Sequence, residues 1–276
     1  MALMRAGRQR VSAGPKDGGH GPTGQPAAAL LGPAALTAAS VGMWSAVLLA
    51  ILNVWFWVAF ILYEPALQAP WRGMGAYMAM FIPARYLAWA VPAFLIAPAF
   101  LIMIACLHAW ANEVQRTWSL LALVFALPGA TLMAALYYIQ MTVVPVNFSH
   151  GLTDGLRLWI YAPPYPFTFP GALEGVGYGF EAGAFLLAAQ IFEGDRLQLC
   201  LRWAFRATGL SALVAFIDPV IRLPVPLVLA DGALALILLS AAPLLLAAFW
   251  RRTIGSSPAA LRGRGAGPVQ GSRRSG

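Results

Sequence analysis

Charge is scarce in this chain, and lysine is almost missing. Asp, Glu, Lys and Arg make up 10% of the 276 residues, where soluble domains carry roughly a quarter. Lys16 is the single lysine, which excludes a Schiff-base chemistry built on a lysine inside the bilayer. Histidine is nearly as rare. His20, His108 and His150 all fall in predicted tails, helix ends or loops, so neither an axially ligated haem nor a helix-held metal centre is expected. The two cysteines, Cys106 and Cys200, fall near one face of the predicted topology and imply no disulfide framework. Glycine-rich phosphate-binding signatures are absent as well. The expectation is a protein with no cofactor and no metal.

Protease chemistry lacks its parts too. Ser211 has no histidine in the last three predicted spans to activate it. Asp218 and Asp231 sit in FIDP and LADG, which do not carry intramembrane aspartyl protease motifs, and Asp218 is expected to pair with Arg222 one turn on.

What the chain does have is apolar length. Hydrophobic residues make up 60% and the mean hydropathy is +0.72. Six stretches approach the roughly 20 residues needed to cross a hydrocarbon core of about 30 Å: near 38–63, 87–110, 119–143, 171–192, 201–221 and 227–250. The predicted fold is therefore all-α, a polytopic bundle of six transmembrane helices, flanked by disordered basic tails over 1–37 and 251–276.

The formal charge of +8 would suggest a nucleic-acid partner if it covered one soluble face. Instead it gathers at the ends. Arg5, Arg8, Arg10 and Lys16 lie in the first tail, and Arg251, Arg252, Arg262, Arg264, Arg273 and Arg274 in or beside the last. Six spans place both tails with the loops holding Arg116, Arg196, Arg202 and Arg206, which leaves Arg72, Arg85, Arg157 and Arg222 on the other side. The positive-inside rule then predicts cytoplasmic termini in a bacterial-type plasma membrane. The expected partners are the lipid bilayer and, through the basic tails, anionic headgroups. No nucleic acid is expected; a small-molecule substrate and the oligomeric state stay open.

The segment GALEGVGYGFEAG, residues 171–183, carries two glutamates and five glycines inside a predicted span. Gly171, Gly175, Gly179 and Gly183 recur at every fourth position and form one slowly winding stripe. In lipid, such a stripe predicts close helix packing. Glu174, Tyr178 and Glu181 occupy a second stripe. A charge at the depth of Glu181 costs several kcal/mol, so its carboxyl is expected either to be protonated and hydrogen-bonded or to face a wet cavity. Asn53 is the depth-matched partner. Tyr137, Gln140 and Asp231 are the further candidates to line a polar cavity around Glu174 and Glu181.

The outer loop over 144–170 contains Leu152, Leu156, Trp159 and Ile160 at helical spacing, which predicts a short interfacial helix. Prolines at 92, 98, 128 and 243 interrupt predicted spans without matching positions in the two halves, so no inverted repeat of the transporter kind is visible.

The run ALEGVGYGFEAGAFLLAAQIF, with Glu174, Gly177 and Tyr178 followed by Leu201-Arg202-Trp203-Ala204-Phe205, resembles a segment of uncharacterised bacterial multi-pass membrane proteins of domain-of-unknown-function type. That resemblance implies membrane integration and carries no activity. Three functional expectations follow from the residues. The first is a non-enzymatic integral membrane protein. The second is a small-solute or proton-coupled carrier using Glu181. The third is a lipid-modifying enzyme, for which Glu174 with His150 is the best available acid and base pair.

Overall fold

The protein is described by a computed structural model over residues 33–64, 71–160 and 168–256. Most of both predicted tails, and the loop aromatics Tyr165 and Phe167, lie outside those residues. The described chain is helical and contains no strand. Its elements are α1 (Pro33–Tyr63), α2 (Met74–Met80), α3 (Pro83–Trp110), α4 (Arg116–Ser149), α5 (Phe169–Ala188), α6 (Arg196–Ile221) and α7 (Val225–Gly255). Single 3-10 turns occur at Leu156–Leu158 and Ala189–Ile191.

Among the described residues, five helices are long and apolar enough to cross a membrane: α1, α3, α4, α6 and α7. The sixth expected span, α5, falls short in hydropathy rather than in length. Its 20 residues rise about 30 Å, enough for a hydrocarbon core, but two carboxyls and five glycines dilute its apolar character. α5 nevertheless packs as a full member of the bundle, between α4 and α6. The helical tracts also outrun several predicted limits. α1 starts at Pro33 and α7 runs to Gly255, so residues 33–37 and 251–255 belong to helices rather than to tails.

Local sequence explains where the helices begin and stop. Thr168 caps α5 by accepting the Gly171 N–H at 3.4 Å, and Asp195 caps α6 by accepting the Gln198 N–H at 3.1 Å; each satisfies a donor the helix leaves open. Arg222 ends α6 in the left-handed region at φ 54°. The Asp218 carboxylate, expected to pair with Arg222, accepts the Leu223 N–H at 3.0 Å, and the Asp218 carbonyl accepts the Arg222 N–H at 2.8 Å. This holds the sharp turn into α7, where an exposed ion pair would contribute little.

The long helices pack in chain order, α1 on α3, α3 on α4, α4 on α5, α5 on α6 and α6 on α7, and α7 returns to α1. The result is a closed ring of six. Its core has two layers. At the end where α1 begins and α7 finishes, all six helices contribute, including Ala39, Leu107, Ala122, Phe185, Phe205 and Trp250. At the other end the core comes from α1 to α4 and the following loop, with Phe56, Tyr86, Trp89, Tyr137 and Ile160. The C-terminal half of α6 and the N-terminal half of α7 supply no buried residue to that second layer and leave residues such as Val220 and Leu229 exposed.

The outer loop departs from expectation. The predicted interfacial helix shrinks to one 3-10 turn, with Leu156 and Ile160 buried in the outer core layer while Leu152 and Leu158 remain exposed. Gly155 is left-handed at φ 73° just before that turn. That backbone breaks the helical register, so the loop folds down on the bundle as a cap.

Candidate functional site

The two stripes on α5 have separate uses. Glu174, Tyr178, Glu181 and Phe185 follow one another at steps of four, three and four, and this face turns into the ring. Glu174 and Glu181 are only 8% and 6% exposed. Glu174 lies in the first half of α5. Its Oε1 accepts the Tyr137 hydroxyl at 2.9 Å and the Tyr178 hydroxyl at 3.3 Å. Glu181 lies seven residues further along α5, about two turns, at the boundary of the two core layers.

There it meets a small, mainly apolar cavity of about 40 Å³, whose polar lining is Asn53 and Trp57 of α1, Tyr137 of α4, and Tyr178 and Glu181 of α5. Space of this size holds a few waters, since each needs about 10–15 Å³ by the same measure. Asn53 donates its Nδ2 to the Leu49 carbonyl at 2.9 Å, leaving the amide oxygen without a partner among the described residues. Trp57 likewise has a buried indole N–H with no partner among them. No described group hydrogen-bonds the Glu181 carboxyl, and no Arg, Lys or His lines the cavity. Asn53, Tyr178 and Glu181 thus line one cavity, and the Tyr178 hydroxyl bonds Glu174.

Two of the proposed cavity residues lie elsewhere. Gln140 belongs to a neighbouring network, where its Oε1 accepts the Tyr86 hydroxyl at 2.6 Å and its Nε2 donates to the Trp159 carbonyl at 2.9 Å. This pair ties the loop cap to α3 and α4. Asp231 does not line the cavity; it is half-buried, accepts the Ser211 hydroxyl at 2.8 Å and joins α7 to α6. The cause is angular, because helix depth read from sequence does not say which face of α7 meets the interior. The acid and base pair of a lipid enzyme also fails to assemble. His150 is exposed and holds the Val146 carbonyl through Nδ1 at 2.8 Å, whereas Glu174 is buried among tyrosines.

Tyr77 and Glu64 form a buried pair that the sequence reading did not single out. The Tyr77 hydroxyl donates to Glu64 Oε1 at 3.0 Å. Burial first, and then Tyr86 and Glu64, push this phenol well above its ordinary value, so it remains a proton donor. The only available signal was an acidic residue just after a span; its partner comes from a different helix. Replacement of Tyr86 by Phe tests the adjacent network. Losing a hydroxyl that satisfies buried Gln140 is expected to cost about 1–3 kcal/mol, a fall in Tm of roughly 2–4 °C per kcal/mol in detergent; an unchanged Tm would show that the Tyr86 bond contributes nothing.

The glycine stripe also divides its work. A Cβ on Gly175 would meet Pro219, and one on Gly179 would come within 2.7 Å of the Phe216 ring, both on α6. On Gly183 it would collide with Phe125 of α4. Four-residue steps drift by about 40° each on a 3.6-residue helix, so the stripe winds from one neighbour toward the other. Gly171 is the exception. A Cβ there meets only its own cap, Thr168, so its predicted packing role is not supported. Gly177 belongs to the packing set instead, against Met133 of α4, and Gly129 and Gly209 complete it from the facing helices. Close approach on both flanks holds α5 tightly and fixes the direction of its carboxyls.

The chain matches no protein-family model, no curated protein and no solved structure.

Proposed function

We propose that this is a non-enzymatic, multi-pass integral membrane protein whose bundle binds and releases a proton at Glu181. The observation that carries the reading is the placement of that buried carboxyl at a small, mainly apolar cavity between two core layers, with Asn53, Trp57, Tyr137 and Tyr178 as its other polar side chains and no lining cation. A carboxyl in such a place is expensive to keep, and a proton, alone or carried by water, fits without further room. Of the carrier readings, the proton is favoured over a larger solute on size. Ligand pockets usually run to hundreds of cubic ångströms, far above the cavity's approximately 40 Å³. Tyr178, which lines the same cavity, donates to Glu174, and Glu174 also accepts from Tyr137, so a hydrogen-bonded group of exchangeable protons lies beside Glu181.

The orientation we propose places both termini in the cytoplasm, in a bacterial-type plasma membrane. Its support is the bias of basic residues toward the end that carries both termini. The resemblance around Glu174 to Phe205 agrees with this setting.

Infrared difference spectra of wild type and Glu181→Gln in lipid, recorded across a pH series, test the proposal. A reversible carboxyl band present only in wild type is the expected result. A Glu181 band that never changes with pH would make this a fixed structural group and remove proton exchange from the function.

A further inference from the structure

A second polar site lies at the end of the ring that holds both termini, away from the carboxyl cavity. Arg202 and Arg206 stand one turn apart on α6. Each aims an Nη2 at the same acceptor, Gln190 Oε1 on the 3-10 turn after α5, at 3.4 and 3.3 Å. Both arginines are half-buried. One neutral amide oxygen cannot balance two cations, and like charges drawn to one point repel unless an anion joins them. Among the described residues neither arginine forms a salt bridge. The carboxylate nearest in the chain to pair at this end, Asp195, is held by Arg252 at 2.6 Å.

Two more observations point to a ligand. The Arg202 Nε is buried with no partner among the described residues, so a donor remains beside the pair. The Arg206 guanidinium lies 5.1 Å over the Trp203 ring, and Trp203 is 60% exposed, as suits an indole at the depth of lipid headgroups. Planar guanidinium donors match the oxygens of a phosphate group.

We propose that Arg202, Arg206 and Gln190 form a phosphate-binding site that takes the headgroup of an anionic phospholipid. Trp203 lies alongside the acyl-chain boundary, and Gln190 spaces the two guanidiniums to receive one phosphate between them. The site differs from diffuse attraction by the terminal arginines because it needs these particular side chains. Free phosphate shares the same chemistry and is distinguished by experiment.

The full-length protein, purified in a detergent with an uncharged headgroup, is titrated with phosphatidylglycerol and separately with inorganic phosphate while its Tm is followed. The expected result is a saturable rise with phosphatidylglycerol whose half-saturating concentration increases at least tenfold in Arg202→Gln/Arg206→Gln. Arg196→Gln, which removes an exposed charge from the same helix, should leave the response intact. Gln190→Glu supplies an internal counter-ion and keeps both arginines; it should raise the Tm without lipid and abolish the response, which preserves the test if the double variant folds poorly. A matching response to inorganic phosphate, with the same dependence on the variants, would keep the site and assign it to a soluble anion. The proposal is overturned if neither titrant gives a saturable rise, or if Arg196→Gln loses as much as the double variant.

Discussion

Gly209→Leu is expected to cost about 3 kcal/mol or more and to lower the Tm in detergent by roughly 2–4 °C for each kcal/mol. A Cβ at this position would stand 2.7 Å from Leu186 Cγ and 3.0 Å from the Ala182 carbonyl oxygen. The second obstacle is backbone, so no rotamer change relieves it. α5 and α6 would have to separate. In lipid that separation is not resisted by a hydrophobic drive between helices, because close van der Waals packing is itself a main source of association. Gly232→Ala is the matched comparison on α7: nothing lies within 4 Å of the added methyl, and an alanine in a helix interior should stabilise by up to about 1 kcal/mol. Equal Tm changes in the two variants would show that glycine packing does not hold this ring together.

Glu181→Met should act in the opposite direction, raising stability while removing the proposed function. A buried polar group without a hydrogen bond costs about 1–3 kcal/mol by mutational measures. Glu181 is such a group among the described residues, and Met offers a similar length without the carboxyl. We predict a higher Tm together with loss of the pH-dependent infrared signal. That combination identifies a residue kept at the expense of stability, as functional groups often are. A Tm below wild type would mean instead that the carboxyl holds the ring together through an interaction that Met cannot replace, and the functional argument for its retention would fall.

Gly209 packs against α5 and Glu181 lies on it, the helix where the sequence was informative and incomplete at once. Its glutamates and glycines were legible as two stripes because helical periodicity is a property of the chain itself. Which neighbour each glycine would meet was not legible, since α5 has contacts on both flanks and the stripe drifts between them. Gly129 and Gly209 lie alone in their own helices and gain meaning only from what faces them. Asp231 and Gln140 show the same limit from the polar side: depth in the membrane could be estimated by counting residues, but rotation about the helix axis could not.

The sequence by itself determined the membrane class, the long apolar helices and the presence of carboxyls inside the bundle. These follow from composition, length and period, which act locally. Only the tertiary structure decided that the helices close into a ring in chain order, that the outer loop folds down as a cap, and that Tyr137 and Tyr178 share one glutamate oxygen. It alone brought Arg202 and Arg206 onto Gln190. Such pairings depend on helix rotation and on contacts between residues distant in the chain, and no local pattern encodes either.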